Sequence, residues 1–531
     1  MAERLMGVET EYAASAVNPW GDTYDPAAMV SRMMQLGRDT LVQLPDVGGG
    51  LYLGNGSRFY IDYGNHPELA TPECTNPWDV VRYILAGERI IADLASRTGR
   101  DLNAEVLLFK SNVDYSGMWA TWGCHESYMH CASPHLLSDQ IIPHLVTRII
   151  YTGAGGFNSQ SGGLEFTLSP RVAHLSSVVS NNSTSDRGIF HTKDESLTKR
   201  GFHRLHLICG ESLCSETSML LKVGTTALIV AMAEAGVHPG AGVGLRSPLQ
   251  AMQTISKDLT CSALVETVQG RGLSAIEIQY HYLSLAERHI DAPWMPPWAE
   301  EVCRLWRETL NRLLDAPESV ATTLDWAIKH ALYSSHADSR GVTWDSLPFW
   351  TRMITEARFL FAENGVTIES VLDRRNRDVT ALKWLTQMME EEGFRLDDFE
   401  SVFNLRQELF EIDTRFGQLG GSGIFEGLDR AGVLEHHVRG VDDISPAISS
   451  PPAAGRARIR GEAIRRLAGQ NGDYVCDWEG ILNAKTRRML DLSEPFETVE
   501  RWIEYEQVVS AGTPAFAALV ARIQQRNSPV F

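Results

Sequence analysis

The stretch "RFYIDYGNHPELATPECTNP", Arg58 to Pro77, decides how this chain is read. Its first five residues alternate as a β-strand does, which puts Arg58, Tyr60 and Asp62 on one face and Phe59 and Ile61 on the other. His66, Glu68 and Glu73 follow in what reads as a short loop. A helix then begins, with Asn76 suited to the N-cap and Pro77 to the first helical position. Val80, Ile84, Ile91 and Leu94 share one face of that helix. A strand face bearing an arginine, a phenol and a carboxylate, with more carboxylates just behind, is not the pattern of a core.

The N-terminal "GVETEY" repeats the theme, because strand alternation puts Glu9 and Glu11 on the same face. On an exposed sheet edge that would be unremarkable. In a buried strand two carboxylates are costly unless something cationic neutralises them. Tyr60, Asp62, Glu68 and Glu73 add further oxygen donors. Oxygen-only clusters select hard cations such as magnesium, which commonly shares its coordination with substrate phosphates. Arg58, on the face of Asp62, is suited to hold a phosphate. These residues point to Mg-nucleotide chemistry on the face of a sheet. The sequence has no P-loop, no GxGxxG opening a helix after a strand, and no GxSxG elbow. "CHESYMHC", Cys124 to Cys131, invites a zinc reading, but HExxxH spaces its histidines wrongly for one helical face.

The bulk properties narrow the classes. With 531 residues the chain has room for more than one domain and a large core. A formal net charge of −19 argues against nonspecific nucleic-acid binding and against anionic membrane surfaces. "MAERLMGVETEY" has no apolar h-region of a signal peptide, and "TALIVAMAEAGV" is too short to span a bilayer. The eight cysteines form no CxxC pair and read as thiols in a reducing cytoplasm.

"LMGVETEY", "GLYLG", "RFYIDY", "AEVLLFKSN", "GLEFTLS" and "RLHLICG" read as strands, and "SETSMLLKVGTTALIVAMAEAG" as a helix ending at Gly236. The order is not strict βαβ alternation, so the expected class is α+β with a largely antiparallel sheet. From about Tyr282 to Phe410 the pattern turns helical, and its tryptophans read as core packing. A proline- and serine-rich link, "DDISPAISSPPAAG", leads to the basic run "RARIRGEAIRR" and a small C-terminal unit containing "DYVCDW".

Several blocks together carry a resemblance. "GVETEY", "NGSRFYIDYGNHPELATPEC", "LFKSNVDYSG…GCHESY", "RLHLICGES…TSMLLKVGT", "PPAAGRARIRGE" and "DYVCDW" occur in the order seen in the family of Pup ligases (PafA) and depupylases (Dop), covering most of residues 1–290 and 415–500. The family is similar in fold to glutamine synthetase and glutamate–cysteine ligase. The resemblance implies a large domain over 1–440, with a mostly antiparallel sheet cradle backed by helices and a helical insertion at about 341–404. It also implies a small C-terminal domain, 441–531, that contributes to the nucleotide site. It implies magnesium ligands at Glu9, Tyr60 and Glu68, a catalytic base at Asp62, nucleotide contacts at Arg58 and Thr71, and Trp478 at the adenine end. Glu11, Arg204, His206 and Arg460 lie in family blocks and are candidates for substrate or phosphate contacts.

The activity so implied uses ATP and Mg2+. ATP phosphorylates a glutamate-type side-chain carboxylate, and an amine, in this family a protein lysine, attacks the acyl phosphate. The expected partners are a glutamate-ended modifier such as Pup and lysine-bearing acceptor proteins, with no nucleic acid and no membrane. The short segment between "GVETEY" and "GLYLGNG", the length of "DYGNHPE", "GCHE" and the "DW" block resemble the ligase; Tyr12 and "TPECTNP" look more like the depupylase. Three alternatives stay open: a depupylase-type hydrolase, an amide ligase acting on a small molecule or another modifier, and a binding protein on an inactive ligase scaffold.

Overall fold

A computed structural model describes residues 4–46, 48–182, 185–193, 201–373, 379–470, 474–483 and 485–504 of the chain. Arg58–Asp62 forms the expected strand. The chain then turns through Gly64 and Asn65, both at positive φ, and returns as a second strand, His66–Ala70, where the sequence suggests a loop. Pro67 is what hides this strand, since proline cannot donate to a ladder. Its carbonyl instead accepts the N–H of Tyr12.

This hairpin belongs to a nine-stranded sheet: β1 (Met6–Glu11), β2 (Gln43–Pro45), β3 (Leu51–Leu53), β4 (Arg58–Asp62), β5 (His66–Ala70), β6 (Cys124–His130), β7 (Ser177–Ser180), β8 (Gly188–His191) and β9 (His203–Leu207). The spatial order is β7-β8-β9-β6-β1-β5-β4-β3-β2. Every pairing is antiparallel except β7 with β8, as the α+β reading expects. "AEVLLFKSN" also forms a strand, Glu105–Phe109, but pairs with Ala13–Val17 in a separate two-stranded sheet. "GLEFTLS" contributes only the two-residue strand Phe166–Thr167.

The pleat gives the sheet two unlike faces. Met6, Val8, Cys124, Tyr128, Leu205 and Leu207 point into the main core. Gly7, Glu9, Glu11, His125, Ser127, Arg204 and His206 alternate with them and take the other face. The apolar face is covered by α1 (Pro77–Leu102), α2 (Pro134–Thr147) and α3 (Glu216–Glu234), with α4 (Ala275–Arg288) and α5 (Ala299–Asp315) behind. The cap of α1 is as expected: the Asn76 side chain accepts from Asp79 N at 2.9 Å, and Pro77 opens the helix. By length and composition α3 suits a membrane crossing, but it is buried along nearly its whole length in this core. Gly236 follows it at positive φ. Beneath the sheet Glu126 and Arg148, both fully buried, form a two-pronged ion pair.

The helical region has its own core. Tyr333 of α6 (Asp325–Ser339), Trp350, Met353 and Phe361 of α7 (Leu347–Ala362), and Phe399, Phe403 and Phe410 of α8 (Leu396–Phe416) pack with Phe157 and Phe166. The lobe therefore recruits residues well outside 341–404. The tryptophans behave as core residues, Trp306 and Trp326 being buried.

The C-terminal unit is α9 (Gly455–Leu467) with an antiparallel sheet of β10 (Tyr474–Asp477), β11 (Gly480–Asn483), β12 (Arg488–Asp491) and β13 (Trp502–Glu504). The tail from residue 505 lies outside the described residues. Ile459, Ala463, Ile464, Cys476, Ile481 and Leu490 share one core with Leu44 and Tyr52 at the sheet's edge. A charge clamp fixes the same junction. Glu73 receives Arg456 Nε at 2.7 Å and is paired with the fully buried Arg460. Burial alone would raise the Glu73 pKa, but the two guanidiniums outweigh it and bring it down to about 2.

A depressed carboxylate pKa contributes stability above the unfolded-state value that is lost as pH falls through the folded one. Acid titration of wild type should therefore show stability lost between about pH 4.5 and about 2 through this group, and Glu73→Gln should lack that component. By stranding Arg460, Glu73→Gln should also cost about 3–5 kcal/mol at neutral pH by urea denaturation. Equal midpoints for the two proteins would refute the clamp.

Candidate active site

The strand registers assemble the polar face. Glu11 stands directly opposite Glu68, and Glu68 opposite Tyr60, so one row crosses β1, β5 and β4. Glu9 stands opposite Ala70 on one side and His125 on the other. Carboxylate oxygens of Glu11, Asp62 and Glu68 lie within 4.8 Å of one another. Glu9 leaves that group and joins a second, with His125 and His206 under the same distance limit. Of the expected metal ligands, the structure thus brings Glu68 and Tyr60 together, adds Glu11 to them, and sets Glu9 among imidazoles.

The two groups are electrostatically unlike. Burial and then the neighbouring Glu9 charge, with Glu11 and Asp62 beyond, hold the Glu68 carboxyl well above the usual range. Tyr60 shares a hydrogen bond with Glu68, and its phenol is pushed up by burial and by the same carboxylates. Glu9 goes the other way. Burial would raise it, but Arg204, whose Nη2 lies 2.8 Å from Oε1, and the two histidines hold it far below the carboxylate range. Burial, and then Arg204, hold the His206 imidazole well below its usual pKa. Its Nε2 is buried 3.8 Å from Glu9 Oε2 without a hydrogen-bond partner among the described residues. Glu11 accepts from Gly123 N at 3.0 Å and faces His66 Nδ1 at 3.2 Å, which outweigh its burial and lower its pKa. Asp62 ends β4 in an exposed position.

The crowded oxygens of Glu11, Asp62 and Glu68, with the Tyr60 phenol beside them, fit a hard divalent cation, which would offset their mutual repulsion. The unpartnered His206 nitrogen fits a second position of more mixed donor type.

Beside these groups lies a cleft of about 660 Å³. Gly7, Val8, Ala70 and Thr71 form its floor, Ser127 and Arg204 one wall, and Arg456 and Trp478 the other. A Cβ on Gly7 would sit 3.1 Å from Thr71 Oγ1, so glycine keeps this floor flat. Thr71 Oγ1 accepts the Val8 N–H at 3.1 Å and ties β5 to β1. Trp478 stacks its ring on the Arg460 guanidinium, 4.7 Å away, and meets Tyr52 edge-on at 5.2 Å.

Some expected roles move. Glu73 is spent on Arg456 and Arg460, so it adds no oxygen to the carboxylate group. Arg460 is fully buried and does not line the cleft, whereas Arg456 does. Arg58 has its Nε 2.8 Å from Asp46 and lies 4.1 Å over the Tyr60 ring. The zinc reading of "CHESYMHC" dissolves, because His125 faces the cleft side while Cys124 and His130 point into the core and Cys131 is exposed. His125, His66, Arg456 and Gly7 are the site residues that sequence reasoning missed. Strand alternation along "CHESYMH" would have put His125 on the face of Glu9.

The comparisons place this geometry in a family. The model of the Pup-ligase protein family matches residues 4–353 and 366–482, and the chain belongs to that family. It is 30% identical over 523 residues to the Pup–protein ligase of Mycobacterium avium (strain 104), covering 95% of this chain and 99% of that protein. It is 29% identical, with the same coverage, to Pup–protein ligase 1 of Rhodococcus erythropolis. Among solved structures, the ligase PafA in its complex with the prokaryotic ubiquitin-like protein Pup aligns with a TM-score of 0.71 at 23% identity, covering 100% of this chain and 98% of that one. PafA in complex with ADP aligns with a TM-score of 0.64 at 23% identity, covering 92% and 95%.

A carboxylate held above its usual pKa disfavours the fold at pH values where it must ionise. Glu68→Gln should therefore raise the thermal midpoint measured in EDTA at pH 8. Mg2+ should raise the midpoint of wild type by more than that of Glu68→Gln, which keeps the Glu9, His125 and His206 position. A lower midpoint for the variant in EDTA, or an equal Mg2+ response, would refute the crowding argument.

Proposed function

We propose that this chain is an ADP-forming, ATP-dependent carboxylate–amine ligase that joins a glutamate-type side chain to a protein lysine through an isopeptide bond. The carrying observation is the exposed Asp62 carboxylate at the edge of the Glu11–Glu68 group, beside a cleft walled by Arg456 and Trp478. The printed names of the relatives, Pup–protein ligases, and the Pup-bound structure support Pup, or a modifier of the same carboxylate chemistry, as the donor. The ADP-bound structure supports a nucleotide in the cleft. The cytoplasm is the proposed compartment.

In this reading Trp478 packs on the adenine while Gly7 and Thr71 give it a flat floor. Arg456 and Arg204 set positive charge at the cleft wall, and Arg58 leaves Asp46 for a phosphate. Glu11, Glu68 and Tyr60, with Glu9, His125 and His206 as a second set, would hold magnesium, which would supply charge neutralisation during phosphoryl transfer. An amine then attacks the acyl carbon of the phosphorylated carboxylate, forming the C–N bond as inorganic phosphate leaves. A lysine is mostly protonated near neutral pH, its unperturbed pKa being about 10.4. Asp62 accepts the proton the attacking nitrogen must lose. Tyr12, a depupylase-like residue in the sequence, is buried in the core against α1.

Asp62→Asn should retain ATP binding and lose amide formation by about 10²–10⁴-fold, the usual span for a general base. Rising pH should restore part of the loss by supplying free amine. Mass spectrometry of mixtures with Mg-ATP, a Glu-ended modifier and a lysine acceptor reads both arms. ATP-dependent amide cleavage without ligation at any pH would overturn the ligase reading.

Trp478→Ala should weaken ATP binding roughly tenfold in calorimetry, taking stacking at about 1–3 kcal/mol. A folded variant with unchanged affinity would make Trp478 a packing residue alone.

A further inference from the structure

Away from the nucleotide cleft, Glu216, His436 and His437 bring one donor atom each within 4.8 Å of the others. Glu216 opens α3, which packs on the apolar face of the sheet. The histidines follow a short helix, Ile424–Arg430, which carries Asp429 in its last turn. All four residues line a second cleft of about 1430 Å³ and none lines the first.

The arrangement is ordered. The two imidazoles face each other with centroids 4.1 Å apart. Both Nε2 atoms are turned to the same oxygen, Asp429 Oδ1, at 3.1 Å from His436 and 3.0 Å from His437. Both Nδ1 atoms are turned the other way, to Glu216: His437 Nδ1 is 2.8 Å from Oε1, and His436 Nδ1 accepts the Glu216 N–H at 3.3 Å. The second Glu216 oxygen is fixed by Val438 N at 2.8 Å. The His436 carbonyl is pinned by the N–H and hydroxyl of Thr217 at 3.1 and 2.9 Å.

An imidazole whose Nε2–H is donated to a carboxylate presents Nδ1 as a lone pair, and this carboxylate–histidine pairing is the usual support of a metal-bound histidine. Here one aspartate can hold both rings in that state. Zinc–ligand distances of about 2.0–2.1 Å set tetrahedral ligands about 3.3 Å apart. The observed 2.8 Å between Glu216 Oε1 and His437 Nδ1 needs only a small expansion to reach that spacing. Two imidazoles and a carboxylate suit zinc and other late first-row divalent ions rather than magnesium.

We propose that Glu216, His436 and His437 bind a divalent transition metal, zinc by preference, through Oε1 and the two Nδ1 atoms, with Asp429 as the shared outer acceptor. Binding releases the proton on His437 Nδ1 to solvent and displaces the Glu216 N–H from the His436 Nδ1 lone pair, and three protein ligands leave one coordination position for water or a small anionic ligand. The metal would fasten the segment that leads into the C-terminal unit to the first turn of α3.

The test is calorimetric titration of Zn2+ into the EDTA-stripped full chain, with saturating Mg-ATP present to occupy the nucleotide cleft. Wild type should bind one more equivalent of Zn2+ than His437→Gln, and a second variant, Glu216→Gln, should lose the same equivalent. Asp429→Asn should keep it with affinity about 10–100-fold weaker. Co2+ added under the same conditions should give visible d–d bands in wild type that His437→Gln lacks. Equal Zn2+ stoichiometry in wild type and both ligand variants would overturn the proposal, whatever their activity.

Discussion

The direct cross-strand opposition of Glu11 and Glu68, with Asp62 within reach, is the constraint around which the sheet is arranged. Like charges facing each other across a ladder are destabilising. The register cannot slip to relieve them, because a one-residue shift would carry Met6 and Val8 out of the core and the carboxylates into it. The cost is therefore fixed by the apolar face and its helices. Nearby hydrogen-bonding groups limit it on both sides. His66 and Gly123 take up Glu11, and Arg204 takes up Glu9. Glu68 is left between them with its pKa raised.

This balance separates two carboxylates that look equivalent in "GVETEY". Both point to the same face, yet Glu9 lies beside β6 and β9, which bring histidines and an arginine, while Glu11 lies beside Glu68. Neighbouring strands, not spacing along β1, decide which carboxylate sits with which donors.

Alternation within a strand is a local property, so the faces of β1 and β4 were legible in the sequence, as were the Asn76 cap and the helical lobe. What crosses between distant strands was not. β5 was concealed by Pro67, and with it the row joining Glu11 to Tyr60. His125 was concealed because "CHESYMHC" invites comparison with a helical metal motif although it forms a strand. Arg460 reads as a candidate anion contact in a basic run, and only burial against Glu73 shows that its charge is spent within the protein. In each case the sequence carries the residue and the partner lies tens or hundreds of positions away.

The segment Thr71–Glu73 shows how tightly the parts are coupled. Thr71 binds the Val8 N–H and lines the cleft floor, so it helps set the register that crowds the carboxylates. Two residues later Glu73 holds Arg456 and Arg460, and Arg460 in turn carries the Trp478 ring and its carbonyl, the latter 3.3 Å from Nη1. The floor of the cleft and the wall contributed by the C-terminal unit are therefore fixed by adjacent residues of one short connection. The cleft and the carboxylate row thus share β1 and β5, while one wall of the cleft is supplied by the C-terminal unit.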